Sequence, residues 1–86
     1  MDYLPIFLNI REQRCLVVGG GEVATRKATM LMRAGARVQV VAPEIAPALS
    51  EKLSKHEGHY RKGGYETADL NDVAIVIAAT DDEALN

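Results

Sequence analysis

The chain has 86 residues, of which 48% are hydrophobic and 26% are charged, and its formal net charge is −2. This composition is typical of a globular domain, and so weak a charge argues against nucleic acid or an anionic membrane as the partner. No apolar run reaches the ~18 residues of a membrane span, no basic leader opens the chain, and the single cysteine, Cys15, excludes an internal disulfide framework. We therefore expect a cytoplasmic protein.

The apolar pattern of the first half predicts a strand, a helix and a second strand. Residues 3–10 are apolar enough to pack on a core, in part as an edge strand. The short apolar run 15–18 is ended by three glycines, which is typical of a strand buried on both faces. Apolar residues at helical spacing predict a helix over 22–34 with Gly35 at its stop, and the β-branched run 37–41 predicts the next strand.

The second half continues this alternation. Pro47 suits the first turn of a helix, and Gly58 suits its end. The uninterrupted apolar run 73–79 is the strongest strand signal in the chain and is therefore predicted to be a central strand. The predicted elements are a helix over 46–56, a strand over 59–61, a single helical turn over 66–70 and the strand over 73–79.

This order of elements predicts the fold class. Strands that alternate with helices form a parallel sheet with right-handed crossovers, so we expect an α/β Rossmann-type doubly wound sheet with strand order 3-2-1-4. Its ligand crevice would lie at the carboxyl edge, between the first and fourth strands. Such a sheet normally has about six strands, whereas about four are predicted here. We therefore expect residues 1–86 to be an incomplete domain of a longer protein.

A glycine-rich turn joins the first predicted strand to the first predicted helix. Its sequence, Gly-Gly-Gly-Glu-Val-Ala over 19–24, matches the pattern G-x-G-x-x-G/A that binds dinucleotide pyrophosphates. Gly19 would allow the tight turn, Gly21 would let a pyrophosphate approach the backbone, and Ala24 would let the helix pack closely on the sheet. The free amides and the positive dipole end of the predicted 22–34 helix would face the phosphates. The candidate cofactor-binding residues of this turn are Gly19, Gly20, Gly21, Glu22 and Val23. The alternative is a glycine turn in an unrelated α/β domain.

The end of the second predicted strand departs from the usual NAD-binding pattern. Most NAD sites have Asp or Glu there to bind the ribose hydroxyls, but this chain has Ala42 followed by Pro43. Glu44 is the nearest acid that could reach the adenosine. Because no Arg or Lys stands at the strand end to bind a 2′-phosphate, NAD is favoured over NADP as the cofactor. An ordinary turn and helix start would explain Pro43 and Glu44 equally well.

Small and polar residues elsewhere support less specific hypotheses. Ala79 and Thr80 follow the fourth strand at the mouth of the crevice, where small side chains would let a cofactor lie against the backbone. Thr80 could hydrogen-bond the cofactor, although capping of a further helix is the favoured interpretation. The acidic run 81–83 is interpreted as helix capping, and His56 and His59 as solvated side chains, so no metal site is predicted.

Four segments of the chain together resemble a known family. They are Tyr3-Leu4-Pro5-Ile6-Phe7, the run from Cys15 to Ala24 with Arg26-Lys27, the run from Val38 to Pro43, and Ala78-Ala79-Thr80-Asp81-Asp82. In order and spacing they resemble the amino-terminal module of siroheme synthase, the precorrin-2 dehydrogenase and sirohydrochlorin ferrochelatase module. The resemblance covers the whole chain, and its triple glycine and Ala-Ala-Thr-Asp-Asp segment are more specific than a generic dinucleotide fingerprint.

The resemblance implies an activity. Modules of this family oxidise precorrin-2 to sirohydrochlorin by passing a hydride to NAD, and then insert ferrous iron to give siroheme. It also implies that Glu22-Val23 and Pro43-Glu44 lie against the cofactor. The family's aspartate for both steps, its dimerisation region and, in many members, a methyltransferase domain lie beyond the segment resembled here. We therefore name no catalytic residue, expect a homodimer for the whole protein, and expect residues 1–86 alone to be inactive.

The same βαβ unit also occurs in proteins that are not enzymes. Regulatory domains of potassium transport systems use it to sense NAD, but they usually keep the acid at the end of the second strand that Ala42 replaces here. Flavin- or NAD-dependent oxidoreductases of other pathways and nucleotide-sugar enzymes are further alternatives.

Overall fold

A computed structural model of the chain describes residues 9–79. Most of the predicted segment 3–10, together with Thr80 and the acidic run 81–83, therefore lies outside the described residues. The described elements alternate as predicted. They are β1 (Arg14–Val18), α1 (Glu22–Arg33), β2 (Arg37–Ala42), α2 (Pro47–Lys55), β3 (His59–Lys62), a 3₁₀ turn (Thr67–Leu70) and β4 (Val73–Ala78).

The described strands form one parallel sheet in the order β3-β2-β1-β4. Val17 of β1 lies opposite Val40 of β2 on one side and opposite Ile77 of β4 on the other. Because all four strands run in the same direction, their carboxyl ends meet at one edge, where the glycine turn follows β1. The predicted fold class and the predicted order 3-2-1-4 are confirmed.

Both α-helices pack on the same face of this sheet. Ala24 and Ala28 of α1 are fully buried, and their small side chains let the helix lie close to the strands. Leu49 of α2 is fully buried in the same cluster, and burial of such a side chain stabilises the fold by about 1.5–3 kcal/mol. None of the helices within residues 9–79 is long and apolar enough to cross a membrane. The buried cluster consists of Cys15, Val17, Ala24, Ala28, Leu31, Met32, Val38, Val40, Leu49, Leu53 and Ala79.

The position of β4 differs from the prediction of a central strand. Among the described strands it pairs only with β1 and lies at the sheet edge. Ile75 and Ile77 pack against the buried cluster, whereas Ala74, Val76 and Ala78 alternate with them and are exposed, Val76 by 46%. An uninterrupted apolar run is typical of burial on both faces. No helix within residues 9–79 covers this face, so among the described residues β4 is packed on one face only.

At the end of α2 the residue in the left-handed conformation is Glu57, with a φ of +58°. Gly58, which was predicted to mark the end of this helix, follows it directly. A Cβ at position 58 would meet the side chain of Leu53 and would lie 3.2 Å from the carbonyl oxygen of Val38, so glycine suits the close packing there. Gly58 therefore marks the close approach of the helix end to β2.

A buried carboxylate fixes the crossover from β3 to β4. The Arg61 guanidinium donates to Asp69 Oδ2 at 2.6 Å, to Glu66 Oε2 at 2.9 Å and to the Gly64 carbonyl oxygen at 2.8 Å. Asp69 is only 6% exposed, and its Oδ2 also accepts the Glu66 N–H at 2.7 Å. These bonds order a polar segment that contributes little apolar surface to the core.

Candidate functional site

The glycine turn begins where β1 ends, at the carboxyl edge of the sheet. Gly19 has a φ of +133°, in a region that residues with a Cβ rarely adopt, so this position requires glycine for its backbone conformation. Its N–H donates to the carbonyl oxygen of Val41 at 2.9 Å. The predicted role of Gly19, a tight turn out of the strand, therefore agrees with its conformation.

Gly20 lies against the loop that joins β2 to α2. The Ala46 N–H donates to the Gly20 carbonyl oxygen at 2.7 Å. A Cβ on Gly20 would overlap the carbonyl oxygen of Glu44 and would lie 3.0 Å from the Cβ of Ala42. This contact was not predicted, because the partner of Gly20 is a backbone atom of a distant residue and leaves no pattern in the sequence.

The first turn of α1 supplies unblocked backbone amides. Gly21 is the N-cap residue, with φ −92° and ψ −155°, and it has no side chain that could accept a hydrogen bond from the helix. The Thr25 N–H and hydroxyl both donate to the Gly21 carbonyl oxygen, at 2.9 and 2.8 Å. The earlier helix amides have no intrahelical acceptor and lie at the positive end of the helix dipole, so this end of α1 attracts an anion.

The three residues after the glycines divide between surface and core. Glu22 is exposed, Val23 is half-buried against the core, and Ala24 is fully buried. The burial of Ala24 agrees with its predicted role, because a larger side chain would hold α1 away from the sheet. The exposed carboxylate of Glu22 leaves its backbone amide as the group most suited to a phosphate.

An open cavity of about 300 Å³ lies beside the glycine turn, lined by Gly20, Gly21, Glu44, Ile45 and Ala46. A larger cavity, of about 670 Å³, lies at the opposite edge of the sheet and includes Arg14 and Arg37 at the amino ends of β1 and β2. Ligands of open parallel sheets bind beyond the carboxyl ends of the strands. We therefore assign the candidate site to the smaller cavity.

The end of β2 is fixed by hydrogen bonds rather than by an acidic side chain. The carbonyl oxygen of Ala42, which is buried, accepts the Tyr60 hydroxyl and the Gly63 N–H, each at 2.9 Å. Pro43 and Glu44 follow and are exposed. The sheet register also places the exposed Lys62 beside Ala42. A cation at this strand end was not predicted, because Lys62 belongs to another strand.

Ala79 lies on the other side of the glycine turn. Its N–H donates to the carbonyl oxygen of Val18 at 2.8 Å, and its side chain is buried. The carboxyl ends of β1, β2 and β4 thus bring together all the described residues that the sequence analysis assigned to the cofactor. Contact of these residues with a cofactor remains a prediction, and Thr80 lies outside the described residues.

Other reactive side chains lie away from this site. Burial raises the pKa of the Cys15 thiol, which belongs to the core cluster on β1. His56 and His59 are exposed at the far edge of the sheet. In the part of the chain that the structure describes, no group of three or more His, Cys, Asp or Glu side chains could hold a metal ion.

Comparison with known proteins shows likeness to enzymes of siroheme synthesis. Over its whole length, the chain is 51% identical to the siroheme synthase of Chromobacterium violaceum and 54% identical to that of Pseudomonas fluorescens (strain Pf0-1), and it spans 18% of the length of each. A solved structure of SirC, a precorrin-2 dehydrogenase, is similar to this chain with a TM-score of 0.85 and 31% identity. The match covers 98% of this chain and 42% of the SirC chain. These findings confirm the resemblance to siroheme synthase.

A family model for NAD(P)-binding domains matches residues 6–86. That range contains the glycine turn, both α-helices and all the described strands. It confirms a nicotinamide dinucleotide as the predicted cofactor, while the choice of NAD over NADP remains a prediction. The chain belongs to this NAD(P)-binding family.

Proposed function

We propose that this chain is the NAD-binding part of an enzyme that oxidises precorrin-2 to sirohydrochlorin, and that the complete protein then inserts ferrous iron to give siroheme. The observation that carries the proposal is the match to SirC, at 31% identity over nearly the whole chain, together with a glycine turn of suitable geometry. The siroheme synthase relatives support the second step. In this proposal residues 1–86 form an incomplete domain of a cytoplasmic homodimer, and the catalytic residues lie elsewhere in the protein.

The glycine turn fits the cofactor on two structural grounds. Its N-cap residue offers no side chain to compete for the first helix amides, and an open cavity lies beside Gly20 and Gly21. The amides of Glu22 and Val23 would hold the pyrophosphate, and the loop with Pro43 and Glu44 would border the adenosine. Ala79, which follows β4, has a small and buried side chain that would not obstruct the nicotinamide side of the cofactor.

The oxidation balances as a hydride transfer. When bound, the nicotinamide ring accepts a hydride, that is, two electrons and one proton. Precorrin-2 loses this hydride from a carbon atom and releases a second proton to a base, which gives sirohydrochlorin. In the later step two pyrrole N–H protons leave as ferrous iron binds to the nitrogens. The part played by this chain is to fix the position and orientation of the cofactor.

NAD is the proposed cofactor because Glu44 would face the adenosine ribose. A carboxylate at this place accepts hydrogen bonds from ribose hydroxyls and repels a 2′-phosphate. Lys62 at the same edge would favour the phosphate, and because both side chains are exposed, solvent weakens the effect of each charge. We give Glu44 the greater weight because it belongs to the loop that lines the cavity.

The direct test is an assay of the complete gene product with precorrin-2. We expect NADH absorbance to appear with NAD, together with the absorption spectrum of sirohydrochlorin, and we expect the siroheme spectrum after ferrous iron is added. Omission of NAD is the control for spontaneous oxidation. Binding of NAD without any oxidation of precorrin-2 would favour the sensor of potassium transport instead, and absence of NAD binding would refute both functions.

A further inference from the structure

We infer that Gly20 positions the adenosine side of the dinucleotide site, because its lack of a side chain lets the loop between β2 and α2 pack against the glycine turn. The inference rests on the proposed function, since it concerns the same cofactor. Gly20 occupies a variable position of the pattern G-x-G-x-x-G/A, where the motif itself requires no glycine. Its reason for being glycine lies in the rest of the fold.

The contact between Gly20 and this loop is made by backbone atoms on both sides. A side chain on Gly20 would overlap the Glu44 carbonyl oxygen, and the carbonyl carbon of Glu44 would lie 2.9 Å from the new Cβ. Neither atom belongs to a flexible side chain that could rotate away. Gly20 has no positive φ, so the requirement for glycine arises from this close approach and not from strain of its own backbone.

The loop is held in place at both of its ends. The Gly19 N–H bonds to the Val41 carbonyl oxygen at 2.9 Å, and the Ala46 N–H bonds to the Gly20 carbonyl oxygen at 2.7 Å. Pro43 and Pro47 restrict the backbone on either side of Glu44. A methyl group at position 20 must therefore displace the loop as a unit and break the bond from Ala46.

This displacement would act on one half of the ligand. The loop that follows the second strand borders the adenosine ribose, whereas the pyrophosphate lies on the first amides of α1. The α1 amides belong to residues after Gly20, and the helix is anchored on the sheet by the buried Ala24 and Ala28. A change at Gly20 should thus weaken ligands that contain adenosine while sparing the pyrophosphate site.

The test compares two probes in the complete gene product, NAD and inorganic pyrophosphate. We expect Gly20→Ala to weaken NAD on the order of tenfold, as for one or two lost ligand hydrogen bonds, and to change pyrophosphate affinity by less than about twofold. Ala46→Pro tests the same contact from the other side, because it removes the N–H bonded to Gly20 at a residue whose φ of −64° suits proline. Amide hydrogen exchange at Ala46 should also accelerate in Gly20→Ala.

Two matched glycine variants serve as controls. A Cβ on Gly64 would meet no described atom within 4 Å, so Gly64→Ala should leave both affinities unchanged. Gly58→Ala should destabilise the fold by crowding Leu53 far from the site, and it should leave the NAD affinity of the folded protein intact. Equal NAD affinity in wild type and Gly20→Ala, or equal losses for NAD and pyrophosphate, would overturn the inference. Failure of the wild type to bind NAD would instead refute the proposed function.

Discussion

Gly21→Asp should lower the affinity for NAD and raise the stability of the fold at the same time. Gly21 is the N-cap of α1, in an extended conformation that any residue adopts, and it offers no side chain to the helix. Aspartate is among the best N-cap residues, because its carboxylate would accept hydrogen bonds from the free amides and would interact favourably with the helix dipole. The expected gain in the free energy of unfolding is about 0.5 kcal/mol.

The same carboxylate would occupy the place of a phosphate. Two unit charges of the same sign ~4 Å apart near a protein surface repel by about 4 kcal/mol, and solvent at this open cavity reduces that value. The cofactor would also lose amide donors, each worth about 1.5–3 kcal/mol to a charged acceptor. A net loss of about 3 kcal/mol, or more than about a hundredfold in Kd, is therefore expected.

Calorimetry with NAD and urea unfolding followed by circular dichroism would measure these two effects. Gly21→Asn separates them, since it caps the helix without charge and should weaken NAD less than Gly21→Asp does. Gly64→Asp adds the same charge where a Cβ would meet no other atom, so it should leave Kd within about twofold of wild type. If Gly21→Asp binds NAD normally, or loses affinity only because it unfolds, the assignment of the pyrophosphate to α1 is wrong.

Three further predictions concern the cofactor choice, the crossover and the core. Glu44→Gln should raise the affinity for NADP relative to NAD about threefold in fluorescence titrations, and an unchanged ratio would remove Glu44 from the ribose site. Asp69→Ala should cost about 1–3 kcal/mol in urea unfolding with an unchanged slope, because it removes the buried acceptor of Arg61 and leaves the Glu66 N–H without its partner, while Arg61 keeps Glu66 and the Gly64 carbonyl oxygen as acceptors. Glu66→Gln, at an exposed carboxylate, should cost under about 0.5 kcal/mol, and equal losses would contradict this. Burial raises the pKa of the Cys15 thiol, so this thiol loses its proton at a lower pH in the unfolded chain than in the folded one. The free energy of unfolding should therefore be unaffected by this group below about pH 8.5 and should fall as the pH rises through the folded pKa. Cys15→Val should lack this decline in urea midpoints measured across that range.

The layers of the fold were predictable because they follow from local periodicity. Alternating apolar and helical patterns predicted β1, α1, β2 and α2 to within a residue or two, and the strand order followed from the dinucleotide-binding fold that the glycine pattern indicates. The candidate site was predictable for the same reason, since a glycine pattern between a strand and a helix fixes its place at the carboxyl edge of the sheet.

Features that depend on distant pairs were not predictable. Lys62 comes beside Ala42 only because β3 pairs with β2 in one register, and Arg61 meets Asp69 only when the crossover folds back on β3. The exposed face of β4 was not predictable either, because an apolar run does not indicate which elements of the fold pack against each face of the strand. Each of these depends on tertiary neighbours rather than on the residues next to it in the chain.

The triple glycine shows how one short pattern holds several separate constraints. Gly19 is glycine for its positive φ, Gly20 for the carbonyl oxygen of Glu44 that lies against it, and Gly21 occupies an N-cap where any side chain would compete with a phosphate. The sequence shows that all three residues are glycine, but it does not show the separate structural reason for each. The reasons differ in what they predict: alanine at position 20 moves a loop, whereas a carboxylate at position 21 stabilises the helix and blocks its anion. A substitution that raises stability while it lowers NAD affinity therefore identifies the glycine that faces the ligand, Gly21. A substitution that lowers NAD affinity by displacing a loop identifies the glycine that contacts the protein, Gly20.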